Sequence, residues 1–214
     1  MLATIYMTDK WNSHWYAQHY EDLLKGFRQK KINILEIGVG GYDDPMQGGN
    51  SLRMWHDYFP NGRIYGVDIF DKTPHNQRRI KTFCGSQTDP DFLDALVREI
   101  GTIDIVVDDG SHIGEHILFT FRHLFPHLSD QGFYVVEDTL TSYLEAFGGN
   151  VVDRNDLNTA MGYFKSLIDG INWEELGREY TPTYFNLNIK SISFYHNLII
   201  IRKGANNEGR CPPD

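Results

Sequence analysis

Cysteine is scarce in this chain. Cys84 and Cys211 are the only two among 214 residues, one mid-chain and one near the end. No disulfide framework is implied, and 214 residues are enough to bury a core without one. Proline is also sparse, at 8 residues. No Pro-, Gly- or Ser-rich stretch marks a linker, and no internal repeat appears. One domain is therefore expected over residues 1–204, with a helical cover over about 1–30 and a flexible tail at 205–214. No apolar run approaches the roughly 18–20 residues of a membrane span. The first eleven residues lack the basic flank and apolar stretch of a signal peptide, so a cytoplasmic protein with no membrane partner is expected. Basic charge is short too: 20 Lys and Arg against 29 Asp and Glu leave a net charge of −9. Phosphate-coating proteins need the opposite balance, so nucleic acid is excluded as a partner.

What is present is globular, with 41% hydrophobic and 23% charged residues, values that exclude disorder. Short apolar runs alternate with amphipathic stretches, the pattern of a βαβ protein. Strands are expected at 32–37, 63–69, 80–84, 103–108 and 133–137. These are Val- and Ile-rich and largely unbroken by polar residues, as in strands buried on both faces of a parallel sheet. Helices are expected at 13–28, with Ser13 as a cap, and at 51–59, 90–100, 112–124 and 155–170. The end differs: 190–195 and 198–203 flank His196-Asn197, which reads as a tight hairpin turn.

The first candidate site is Leu35-Glu36-Ile37-Gly38-Val39-Gly40-Gly41-Tyr42. A strand runs straight into glycines 38, 40 and 41, where backbone can turn sharply and approach a ligand. Strand two ends in Gly66-Val67-Asp68-Ile69, and an acid there is placed to accept hydrogen bonds from ribose hydroxyls. An ordinary βα turn would explain the glycines alone; with Asp68 in register, nucleoside binding is the stronger reading. A pyrophosphate fits poorly, because the third glycine is misplaced and Asp43 and Asp44 would repel it. With Glu36 also acidic, a cationic nucleoside such as S-adenosylmethionine suits the neighbours better. Strand three leads into Gly85-Ser86-Gln87, where a side-chain amide could hold an adenine edge.

The second candidate lies at the ends of strands four and five, Val107-Asp108-Asp109-Gly110-Ser111-His112 and Val136-Glu137-Asp138-Thr139. Carboxylates at the C-terminal ends of neighbouring parallel strands converge on the crevice where open α/β sheets bind ligands. Asp109, Glu137 and Asp138 would offer three hard oxygen donors, which suits Mg²⁺. His112, expected at the start of the next helix, could take a proton from a hydroxyl on the metal. Helix capping accounts for one or two of the acids, but not for Glu137 as well. The remaining histidines show no metal-ligand spacing, and Cys84 is expected in the core rather than as a nucleophile.

Together these stretches resemble the metal-dependent S-adenosylmethionine O-methyltransferases that methylate sugar hydroxyls of macrolide antibiotics, as in mycinamicin and tylosin biosynthesis. The resemblance runs from Thr8-Asp9-Lys10-Trp11 to about Gly149. It includes Gly48-Gly49-Asn50-Ser51-Leu52-Arg53-Met54-Trp55, Tyr65-Gly66-Val67-Asp68-Ile69, Asp108-Asp109-Gly110-Ser111-His112 and Thr141-Ser142-Tyr143. The Ser-Leu-Arg-Met-Trp and Asp-Asp-Gly-Ser-His strings are its specific parts. It implies a Rossmann-like class I methyltransferase of the α/β class. That fold has a seven-stranded, mostly parallel sheet, a C-terminal antiparallel hairpin and helices on both faces. It implies cofactor contacts from Glu36, Gly38, Ser51, Asp68, Gln87 and Asp108, to which Thr8, Gly40, Tyr42 and Ser86 are added from the same stretches. It also implies metal ligation by Asp109, Glu137 and Asp138, with His112 as base.

The expected function is Mg²⁺-dependent transfer of a methyl group from S-adenosylmethionine to a hydroxyl of a sugar-bearing small molecule. Catechol, phenolic or polyketide hydroxyls are the alternative acceptors. Rivals of other classes are a nicotinamide-binding oxidoreductase and a non-catalytic binding module. The macrolide enzymes carry an N-terminal region with no counterpart in this sequence, so a homo-oligomer is allowed but not specified. Aromatics near the N-terminus, with Tyr143 and Phe147, are candidates to cover an acceptor, and residues 172–188 are expected on the acceptor side.

Overall fold

Strands form where both faces of a short Val- and Ile-rich run can be buried, and that constraint organises the chain. The computed structural model describes residues 1–177 and 179–210. It divides into two compact units, 1–110 and 111–214, of which Arg178 and residues 211–214, with Cys211, lie outside the described residues.

The first unit runs α1 (Leu2–Ile5), α2 (Tyr16–Leu24), β1 (Asn33–Ile37), α3 (Asn50–Tyr58), β2 (Arg63–Asp68), β3 (Ile80–Cys84), α4 (Pro90–Ile100) and β4 (Ile103–Asp108). Its strands lie in the order β3-β2-β1-β4 and are all parallel. β1 is central, with Glu36 opposite Gly66 on one side and Val107 on the other. Ile34, Leu35, Ile64, Val106 and Val107 are buried in this sheet, and Leu52 and Trp55 of α3 are buried beside it. α4 begins as expected, with Asp89 accepting from the amides of Asp91 and Phe92 and Pro90 in the first turn. β3 is the free edge of this sheet. Asn76 Oδ1 accepts from the Thr82 amide at 2.6 Å and from its hydroxyl at 2.8 Å. Gln77 pairs with Ile80 through both backbone groups. Lys81 on this strand pairs with Glu99.

The second unit runs α5 (Gly114–Leu124), β5 (Leu128–Glu137), α6 (Ala160–Ile171), α7 (Tyr184–Asn188), β6 (Ile189–Tyr195) and β7 (Leu198–Lys203). Its strands lie in the order β5-β7-β6, antiparallel throughout. The β6–β7 hairpin turns at His196-Asn197 as expected, with Asn197 left-handed at φ 59°. Phe121 centres an aromatic core, edge-on to Tyr134 and Phe164 and stacked on Phe185. Asn206, within the tail expected beyond 204, is buried and donates to the carbonyls of Ile171 and Asn186. The expected fold class is thus observed: a Rossmann-like α/β chain with seven strands, parallel in the first unit and closing on an antiparallel hairpin.

Several boundaries differ from expectation. α2 begins at Tyr16, not Ser13, because residues 9–13 form a turn and the Ala17 amide is taken by the Lys10 carbonyl. α5 begins at Gly114, leaving His112 in the preceding loop. α6 begins at Ala160, where Thr159 caps it. Cys84 is exposed rather than core, since it ends the edge strand, and its thiol donates to the Ile69 carbonyl. Among the described residues no helix is long and apolar enough to cross a membrane.

Thr159, itself buried, accepts through Oγ1 from the Gly162 amide at 3.0 Å and donates to the Asp156 carbonyl at 2.8 Å. Thr159→Ala should destabilise the protein by about 1–2 kcal/mol, measured by urea unfolding.

Candidate active site

β1 delivers Glu36 into the core, where it is fully buried. One oxygen, Oε2, accepts from the Ser51 hydroxyl at 2.7 Å, on the first turn of α3. The other, Oε1, lies 3.3 Å from Lys10 Nζ and accepts no hydrogen bond. Lys10 is itself fully buried, and its ammonium donates to Asp109 Oδ2 at 3.0 Å. Burial pushes the Glu36 carboxyl above its ordinary value; Lys10 and the Ser51 hydroxyl oppose the rise, and the Asp109 charge adds to it. Lys10 is the functional residue that sequence reasoning missed. The sequence carried half of the signal: an acid inside an apolar strand calls for a buried cation, but nothing local says which one.

The glycine turn that follows is required by sterics. Gly38 has φ +90°, and a Cβ there would overlap the Asp109 carbonyl. Gly40 and Tyr42 are also left-handed, and Tyr42 is 88% exposed. The loop closes where the Gly49 amide donates to the Val39 carbonyl at 2.8 Å. Asp68, at the end of β2, accepts from the amides of Val39 and Phe70 at 2.9 and 3.0 Å. It therefore fastens the glycine turn to its own strand end. Gln87 donates to Asp108 Oδ1 at 3.2 Å, both side chains buried, while Ser86 pairs with Thr88. Thr8 is buried against α3, its hydroxyl pointing to Met54 Sδ. Within the first unit the structure thus joins Ser51 to Glu36 directly, Glu36 to Asp109 through Lys10 and Gln87 to Asp108, and ties Asp68 to the turn after Gly38.

In the second unit, His112 Nε2 lies 3.9 Å from Asp138 Oδ2, both side chains partly exposed. Both residues are left-handed, at φ 59° and 50°, which L side chains adopt only at a cost. Glu137 is buried at the end of β5, opposite Leu198. Neither Asp109 nor Asp138 caps a helix by its side chain, so the capping alternative does not absorb these acids. Ser111 accepts from the Ile113 amide and pairs with His116 Nδ1 at 2.9 Å, which gives His116 a structural partner. His123 stacks on Phe119, as packing rather than ligation would have it.

Parallel strands ending in acids, a left-handed glycine turn after β1 and an acid closing β2 define the class I methyltransferase fold. No family model matches the chain. Two curated proteins are similar along nearly all of it. The mycinamicin VI 2''-O-methyltransferase of Micromonospora griseorubida is 44% identical over 99% of this chain and 54% of its own. A tetracenomycin-C rhamnosyl 2'-O-methyltransferase of Streptomyces olivaceus is 46% identical over 96% and 54%. Among solved structures, the MycE methyltransferase of the mycinamycin pathway, in complex with Mg, SAH and mycinamycin VI, matches with a TM-score of 0.94. It is 44% identical over 99% of this chain and 54% of that one. The resemblance read from the motifs is borne out, and the chain spans about half the length of the curated relatives it matches.

Lys10 is what opposes the rise in the Glu36 carboxyl, so Lys10→Met should raise it further. A carboxyl raised in the folded state binds protons there preferentially, so stability falls as pH climbs from the ordinary value of 4.5 toward the folded one. Urea unfolding between pH 5 and 8 should show Lys10→Met losing stability with rising pH more steeply than the parent. Adding Glu36→Gln should flatten that slope.

Proposed function

We propose that this chain is the catalytic domain of a cytoplasmic, Mg²⁺-dependent O-methyltransferase acting on a sugar hydroxyl of a glycosylated natural product. S-adenosylmethionine would be the methyl donor. The reading is carried by the likeness over 99% of the chain to an enzyme crystallised with Mg, SAH and a macrolide. The rhamnosyl tetracenomycin relative supports a sugar rather than one particular aglycone as the common acceptor.

The residues fit the donor. Glu36 Oε1, ion-paired with Lys10 and accepting no hydrogen bond, keeps lone pairs for a further donor such as an ammonium group. Gly38 and Gly40 let backbone come close to the nucleoside. Tyr42 follows the glycines, Ser51 is bonded to Glu36, and Thr8 is buried against α3. Asp68, held in place by two amides, keeps lone pairs for ribose hydroxyls, and Ser86, Gln87 and Asp108 take the adenine side. The residues also fit a divalent ion: Asp109, Glu137 and Asp138 are hard oxygen donors at the ends of β4 and β5. An ion held by them supplies the positive charge that makes an acceptor hydroxyl easier to deprotonate.

The chain's own part is then positioning and proton transfer. His112 removes the hydroxyl proton as the acceptor oxygen bonds to the methyl carbon and the carbon–sulfur bond breaks. Asp138, 3.9 Å away, sets negative charge beside the ring that gains the proton. The left-handed turn at His112 holds the imidazole out of α5 and at its mouth.

Labelled S-adenosylmethionine, Mg²⁺ and a panel of glycosylated metabolites, free sugars and catechols test the proposal. Methyl transfer to sugar hydroxyls is expected; transfer to catechols alone would replace the acceptor class. Chelation should stop turnover and added Mg²⁺ restore it, whereas full activity in excess chelator would remove the metal. His112→Ala should cut turnover by about 10²–10⁴-fold while leaving SAH affinity within twofold. Turnover at the parent rate would remove the base role.

A further inference from the structure

The loop between β1 and α3 is costly to hold closed. Gly38, Gly40, Gly41, Tyr42, Gly48 and Gly49 all have positive φ, so much backbone freedom is lost in one short segment. Within itself the loop is closed by the Gly49 amide on the Val39 carbonyl at 2.8 Å and the Met46 amide on Asp44 Oδ1 at 2.9 Å, with two longer bonds at 3.2 Å, Asp44 amide to Gly41 carbonyl and Gln47 amide to Asp44 carbonyl. A further hold on the carbonyls of residues 44–48 comes from outside. Lys72, on the β2–β3 connection, is 1% exposed. Its ammonium donates to the Asp44 carbonyl at 2.7 Å and the Gln47 carbonyl at 3.3 Å. Two other basic groups reinforce it: His75 Nε2 lies 3.0 Å from the Gln47 carbonyl, and Arg53 donates to the Gly48 carbonyl at 3.1 Å. Arg53 also meets His75 Nδ1 at 3.3 Å, so the ring donates through Nε2. A buried ammonium on backbone carbonyls is an expensive way to build a surface loop, because the charge leaves water for neutral partners.

We propose that Lys72 is a positioning residue for the methyl donor: its ammonium clamps the loop at residues 41–48 so that the glycine turn after β1 is preformed for the nucleoside. This rests on the reading that the turn borders the cofactor. The clamp itself is a property of the unloaded chain and is measured without any ligand. Lys72 touches no part of the proposed chemistry, so its effect passes through the loop.

Lys203 provides a matched control. It too is buried, and donates to two carbonyls, of Pro126 and Leu128, both at 2.7 Å, within the second unit. Lys72→Met and Lys203→Met are compared with the parent by thermal unfolding, amide hydrogen exchange and calorimetric titration with SAH. Lys72→Met should speed exchange about tenfold at residues 41–48 while leaving the rest unchanged, and should raise the SAH dissociation constant about tenfold. Lys203→Met should lower the unfolding temperature without moving either quantity. If Lys72→Met behaves like Lys203→Met, the positioning role is overturned. Faster loop exchange with unchanged SAH affinity overturns it too. If the parent loop is protected but the parent does not bind SAH, the cofactor reading fails, and the positioning role with it. Should Lys72→Met not fold, Lys72→Gln keeps a donor for the Asp44 carbonyl and carries the same comparison at reduced size.

Discussion

A carboxylate buried in the sheet governs the first unit. Glu36 sits at the end of the central strand, among Leu35, Ile37 and Val107, where an ionised acid is tolerable only beside a cation and a hydroxyl. Those two come from separate parts of the chain, Lys10 from the N-terminal segment and Ser51 from α3. The N-terminal segment is therefore tied to the sheet by electrostatics as well as by apolar contact. Because Lys10 also holds Asp109, the ends of β1 and β4 share one counter-ion. Two carboxylates on neighbouring strands are thereby coupled through a single ammonium.

The second unit works by backbone rather than by charge. His112 and Asp138 are both left-handed and both leave strand or loop directions abruptly. Behind them, β5, the hairpin and the aromatic core around Phe121 are tightly packed. A rigid support of this kind lets two partly exposed polar side chains keep a fixed separation.

The sheet was legible because its strands are buried on both faces, which leaves uninterrupted apolar runs. The acids were legible because they fall where such runs stop. Residues whose roles depend on contacts far along the chain were not legible. Lys10 meets Asp109 across 99 positions and Lys72 meets Asp44 across 28, and no local pattern announces either. Two helix starts were misplaced where no side chain caps the helix, at Trp15 and Ile113, and a third, that of α6, although the Thr159 side chain caps it. The left-handed turn at His112 was invisible because residue type alone does not announce positive φ in a non-glycine. Cys84 was misread because burial at a strand end depends on whether that strand is central or marginal, and order within a sheet is not written in a strand's own residues.

The marginal position of β3 has a consequence for solution behaviour. An uncovered strand offers unpaired amides to any extended chain, its own copies included, and is a starting point for aggregation. Here the Thr82 amide is already taken by Asn76, Ile80 is bridged to Gln77 through both its backbone groups, and Lys81 carries an ion pair with Glu99. Growth of the sheet by strand addition is blocked on that side, so the protein can be concentrated without that edge recruiting a neighbour.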